Sequence, residues 1–212
     1  MKGRLHYMVD LDDLTYLMNL AYAAKSRLYE LAEANNKPVQ LVLHWNAGKY
    51  TQSFEDYHIN IDGDGDIHVM EEDFAHSLPH NYMKNSAAIG ISLSCAYNAT
   101  TEDLGDYPPT EAQIEAMAKI IAVLSEALEI DIDIHHVVTH GESADGLDYD
   151  ICYNDPTNFP NNHYGPQSTC ERWDLQKLRD SEEYTTDYDD PMTGGNQLRS
   201  LARAFRQKFY GH

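Results

Sequence analysis

The chain has little sulfur for cross-linking, with three cysteines in 212 residues. They cannot all pair within one chain, and a reducing compartment seldom pairs any, so a thiolate is left for another use such as metal binding. Positive charge is equally scarce, since 15 Lys and Arg stand against 35 Asp and Glu for a formal net charge of −20. Nucleic acid needs a basic footprint, so DNA and RNA are excluded as main partners, and the acidity reads as a well-solvated surface. Long apolar runs are missing too: none reaches the roughly 18 residues of a membrane span, and no stable membrane insertion is expected. The opening MKGRLHYMVDLDDL turns acidic where a secretory leader needs its apolar core. The expectation is a protein that stays cytoplasmic until another system releases it.

Apolar residues make up 42% of the chain, enough for one domain with a sizeable core. Leu14, Leu17, Leu20, Ala21, Ala24 and Leu28 recur at helical spacing over 11–34, and Asn35, Asn36 and Pro38 end the run. VQLVLHW (39–45) and AAIGISLS (87–94) read as inner strands. YHINID (57–62) and DIHVM (66–70) flank Gly63-Asp64-Gly65, a hairpin signal that explains DGDGD better than a calcium loop does. Thr110 and Gln113 form a capping box ahead of a helix with the stripe Ile114, Met117, Ile121, Leu124 and Leu128. HHVVTH (135–140) is a short strand, 141–168 a long loop, 171–183 a further helix, 185–195 a linker and 196–210 an amphipathic helix. The fold class is α/β, a mixed sheet flanked by helices on both faces, with a domain over 1–183 and a linker plus helix over 184–212.

His44 and His140 both stand where strands end, and open α/β sheets gather ligands there. A lone histidine is more often a half-buried group bonded to backbone, so their convergence needs a third member. The stretch QSTCERWDL offers two, Cys170 and Asp174. Two imidazoles and one thiolate would give zinc three protein ligands and leave the fourth position open, as in a catalytic site. No CxxC or HExxH anchors this spacing.

LHWNAG, YHINIDGDG, HNYMKNSAAIGISL, THGE and YGPQSTCERWDL, in that order, resemble the type-2 N-acetylmuramoyl-L-alanine amidases over about residues 38–180. That group includes phage amidase-type lysozymes and peptidoglycan recognition proteins. The resemblance implies a zinc enzyme that cleaves the amide between N-acetylmuramic acid and L-alanine. It implies His44, His140 and Cys170 as zinc ligands, because phage relatives carry Cys four positions ahead of the aromatic-Asp-apolar triplet. Asp174 is then structural, capping a helix that begins near Leu175. Tyr57 is implied to face the metal and help with proton transfer or the oxyanion; otherwise it packs a sheet face. His80 is implied to contact substrate, with His76 an equally suitable loop histidine.

Two departures stand out. Ser92 occupies the position where some members carry a general-base Glu, which favours the Tyr57 version of the site. Ser168 stands where many have Lys or Thr, so oxyanion help there is weaker, and Arg172 is the substitute charge if its loop folds inward. Glu142 either orients His140 or serves as the base. Cys95 and Cys152 read as free thiols, with a disulfide between them left open. The basic face of the last helix is expected to stay in water while Leu198, Leu201, Ala202, Phe205 and Phe209 dock it. The leading function is a zinc amidase of peptidoglycan, of the phage or prophage lysin type or a wall-remodelling enzyme. The alternatives are a non-catalytic peptidoglycan-binding module and a zinc hydrolase of another amide.

Overall fold

The computed structural model describes residues 11–81, 84–144, 173–185 and 187–212. Its strands are β1 (Gln40–Trp45), β2 (Ile59–Ile61), β3 (Ile67–Val69), β4 (Ala88–Leu93) and β5 (Val137–Thr139). They form one sheet in the order β3-β2-β4-β1-β5, parallel except for β3, which pairs antiparallel to β2. The helices are α1 (Leu11–Ala34), α2 (Glu111–Leu128), α3 (His140–Ala144) and α4 (Gly194–Tyr210). The α/β class and the mixed sheet with flanking helices are as the sequence patterning implies.

β1 is buried along its whole length, which is why it reads as a continuous apolar run. Its alternation divides two environments. Leu41, Leu43 and Trp45 join Ile89, Ile91 and Leu93 and the apolar stripes of α1, α2 and α4 in the main core. Val42 instead meets Ala88 and Val138 in a small separate cluster on the opposite face. The expected capping box starts α2: Thr110 Oγ1 accepts from Gln113 N, and Gln113 Oε1 accepts from Thr110 N. Gln113 Nε2 also donates to the carbonyls of Ile61 and Ser94, pinning this helix start to the ends of β2 and β4. In the hairpin turn, Asp62 Oδ1 accepts from the amides of Asp64 and Asp66, so the DGDGD carboxylate serves its own backbone.

Two expectations are corrected. Residues 173–185 form turns, not helix, because Leu175 adopts a left-handed φ of 64° that interrupts helical hydrogen bonding. Part of the basic face of α4 also leaves the water: Arg199 is buried and Arg206 half-buried, while Arg203 and Lys208 stay exposed. Arg203 donates to the Ile132 carbonyl, and Arg206 to the Ile130 carbonyl and to Glu126, supplying donors to the chain end that follows α2. Arg199 is buried and makes a two-pronged pair with Glu142 at 2.7 and 2.8 Å. Leu198 and Ala202 bury the apolar side of the same helix, as expected.

Removing one partner of a buried pair strands a charge in a low-dielectric interior. Arg199→Ala should therefore lower stability by about 3–5 kcal/mol in urea unfolding. A second prediction concerns His58. Its Nδ1 accepts from Gly90 N at 3.0 Å, so the ring is neutral and Nε2 donates to the His76 carbonyl at 2.9 Å. Burial, the largest influence, lowers its pKa from 6.5 to about 4. The unfolded chain therefore binds more protons between those values. The stability contributed is fully present above pH 6.5 and is lost as pH falls through about 4. Melting temperatures of chelator-treated protein should fall across that window, and His58→Gln should flatten part of the slope.

Candidate metal centre

Strand register creates the site. β1 and β5 pair in parallel with Leu41 opposite Val137 and Leu43 opposite Thr139. One residue further on, His44 and His140 leave neighbouring strand ends side by side, with ring centroids 4.7 Å apart. Thr139 caps α3 reciprocally with Glu142: its hydroxyl accepts from Glu142 N, and Glu142 Oε2 accepts from Thr139 N. With Arg199 on both carboxylate oxygens as well, Glu142 fixes the backbone that carries His140 and makes no hydrogen bond to either of its ring nitrogens.

The third member arrives on the turn Trp173-Asp174-Leu175, all three residues buried. Trp173 packs edge-on against Trp45 with centroids 4.8 Å apart. A Cβ at position 141 would stand 3.2 Å from the Trp173 Cα, so glycine directly after His140 lets this turn close in. Asp174 Oδ2 thereby reaches 3.2 Å from His44 Nδ1, and Oδ1 reaches 3.2 Å from His140 Nδ1. One ligand atom from each of His44, His140 and Asp174 lies within 4.8 Å of the others.

Burial, the largest influence, lowers the His44 pKa to about 4 despite the nearby Asp174 carboxylate, so the imidazole is neutral at neutral pH. Burial would raise the Asp174 carboxyl, but His140 and His44 outweigh it and hold it below its ordinary value. Neutral imidazole and ionised carboxylate are the forms a metal ion requires. His44 Nδ1 and Asp174 Oδ1 are buried and satisfied by no hydrogen bond. Acceptors crowded together without a donor are unfavourable unless a cation lies among them. Three N and O atoms around one tetrahedral zinc stand about 3.3 Å apart; each imidazole Nδ1 lies 3.2 Å from one oxygen of Asp174, and one atom from each residue lies within 4.8 Å of the others. The donor set therefore fits zinc.

A cleft of about 460 Å³ opens onto this cluster, lined by Trp45, Phe54, Tyr57, His80, His140 and Asp174 among others. The Tyr57 ring lies 5.0 Å from the His44 ring and lines the same cleft. His80 is buried and its Nδ1 contacts His44 Nε2 at 3.1 Å. His76 is exposed and bonded to Glu71 instead. Ser92 is buried beside His44 in the strand register. Cys170, Ser168, Arg172 and Cys152 lie outside the described residues, and Cys95 is a buried free thiol. Asp174, one of the two third-member candidates in the sequence, caps no helix near Leu175 and lies buried beside the two histidines instead. The available signal was an acid held between two large apolar residues, which implies burial and hence a charged or metal partner.

No curated protein and no solved structure matches the chain. The profile described as N-acetylmuramoyl-L-alanine amidase does match, over residues 31–158, a span that takes in His44, Tyr57, His80 and His140. This match covers more than half of the sequence and includes both strand-end histidines, so the chain belongs to the N-acetylmuramoyl-L-alanine amidase family, whose members act on peptidoglycan.

Proposed function

We propose that the protein is a zinc-dependent hydrolase of the amide between N-acetylmuramic acid and L-alanine in peptidoglycan, with His44, His140 and Asp174 holding the ion. The observation that carries this reading is the convergence of two imidazole nitrogens and one carboxylate in a buried cluster at the floor of an open cleft. Asp174 takes the third position in this proposal rather than Cys170, because its carboxylate stands 3.2 Å from both imidazoles. When bound, zinc supplies Lewis acidity and lowers the pKa of a coordinated water to about 7.

The chain's own groups do the rest. The low pKa of His44 keeps its nitrogen available for coordination. Tyr57, beside His44 in the cleft wall, offers a phenolic hydroxyl for the developing oxyanion or for proton transfer to the leaving amine. Glu142 serves as a positioning residue through α3, and its pairing with Arg199 keeps it from acting as the base. Phe54 and Trp45 give the cleft apolar surface against which a sugar or lactyl group can pack.

The decisive experiment joins metal analysis to the release of free amino termini from purified peptidoglycan, with and without a chelator. Wild-type protein should carry one zinc and release amino termini, and the chelator should abolish release. Asp174→Asn should lose both metal and activity, whereas Cys170→Ser should keep both; the opposite pattern would return the third ligand to Cys170. Wall binding without release would instead identify a binding module. Tyr57→Phe should retain zinc while its kcat falls by about 10²-fold, the scale of losing one oxyanion donor.

A further inference from the structure

His80 lines the cleft and also touches a proposed ligand. Its Nδ1 lies 3.1 Å from His44 Nε2, while His44 Nδ1 is the atom turned toward Asp174. A neutral imidazole carries one proton. If Nδ1 of His44 is to offer its lone pair, that proton must sit on Nε2 and be donated to His80. His80 must then accept through an unprotonated Nδ1 and carry its own proton on Nε2. We infer that His80 is a positioning residue that holds His44 in the metal-binding tautomer, a task that usually falls to a carboxylate or backbone carbonyl. This rests on the metal site proposed above.

The surroundings of His80 fix its ring, although they give its buried Nε2 no hydrogen-bond partner among the described residues. Its ring lies against β4 at Gly90, where an added Cβ would stand 2.8 Å from the ring carbons, so only glycine admits the imidazole there. His58 meets the same ring edge-on, with centroids 5.9 Å apart, and is itself fixed between the Gly90 amide and the His76 carbonyl. The next residue, Asn81, donates to Ser143 Oγ on α3, which ties the His80 loop to the helix that begins with His140. A mobile ring could not hold a tautomer, and this one has little room to turn.

The test compares two variants of the full chain by chelator-competition measurement of zinc affinity and by the visible spectrum of the cobalt-substituted protein. His80→Leu removes the acceptor and should weaken zinc binding by about 10–100-fold. In His80→Asn the amide oxygen occupies the place of Nδ1, so affinity and cobalt spectrum should stay near those of wild type. Wild-type affinity in the Leu variant, or equal losses in both variants, would overturn the inference. Should His80→Leu fail to fold, nitrogen-resolved NMR of the imidazoles in zinc-loaded wild type decides. His44 is expected to carry its proton on Nε2 and His80 to leave Nδ1 bare; a proton on His80 Nδ1 would overturn the inference. Failure of wild type to bind zinc at all would instead sink the metal site itself.

Discussion

Lone pairs crowd at one point of this molecule, and much of its architecture serves to keep them there. Two imidazole nitrogens and a carboxylate face one another in the interior with too few donors among them. Such a cluster persists only because three independent constraints fix its members. The parallel register of β1 and β5 sets the two histidines abreast. The Trp45–Trp173 contact drives the aspartate turn inward, and Gly141 leaves it room to arrive. Each constraint is apolar packing or backbone pairing, so the polar centre is held by parts that would assemble without it.

Around that point the sheet carries an unusual layer of neutral histidines. His44, His58 and His80 are all buried, and burial lowers the basicity of each. A protonated ring beside the proposed cation site would repel an ion, so the dry setting and the proposed metal binding require the same thing. The layer rests on Gly90, whose amide serves His58 and whose missing side chain admits His80. One glycine in the middle of β4 thus supports two histidines at once.

Much of this was readable beforehand, and the reasons are physical. α1, α2 and the strands β1 and β4 are long or strongly patterned, so periodicity locates them to within a residue or two. The hairpin announces itself through its glycines, and α2 through Thr110 and Gln113. His44 and His140 were legible because strand ends are short and their histidines have few places to go. The choice between Cys170 and Asp174 was not, because a turn has no period and the left-handed Leu175 cannot be seen in the letters. Nor was the pairing of Arg199 with Glu142, which joins residues far apart in sequence, since an arginine on an amphipathic helix looks the same whether it meets water or a buried acid. The link between His80 and His44 required coordinates: eleven histidines allow too many pairings for spacing to choose one.

The Arg199–Glu142 clamp fixes the beginning of α4 beside the end of the sheet that carries His140, and the helix then runs for 17 residues before its glycine cap. At a rise of about 1.5 Å per residue its far end is displaced along the axis by about 25 Å. Any module joined beyond that cap would start from the tip of a rigid spar, so its anchoring point on a polymer would be offset from the bond under attack by about the length of several sugar rings.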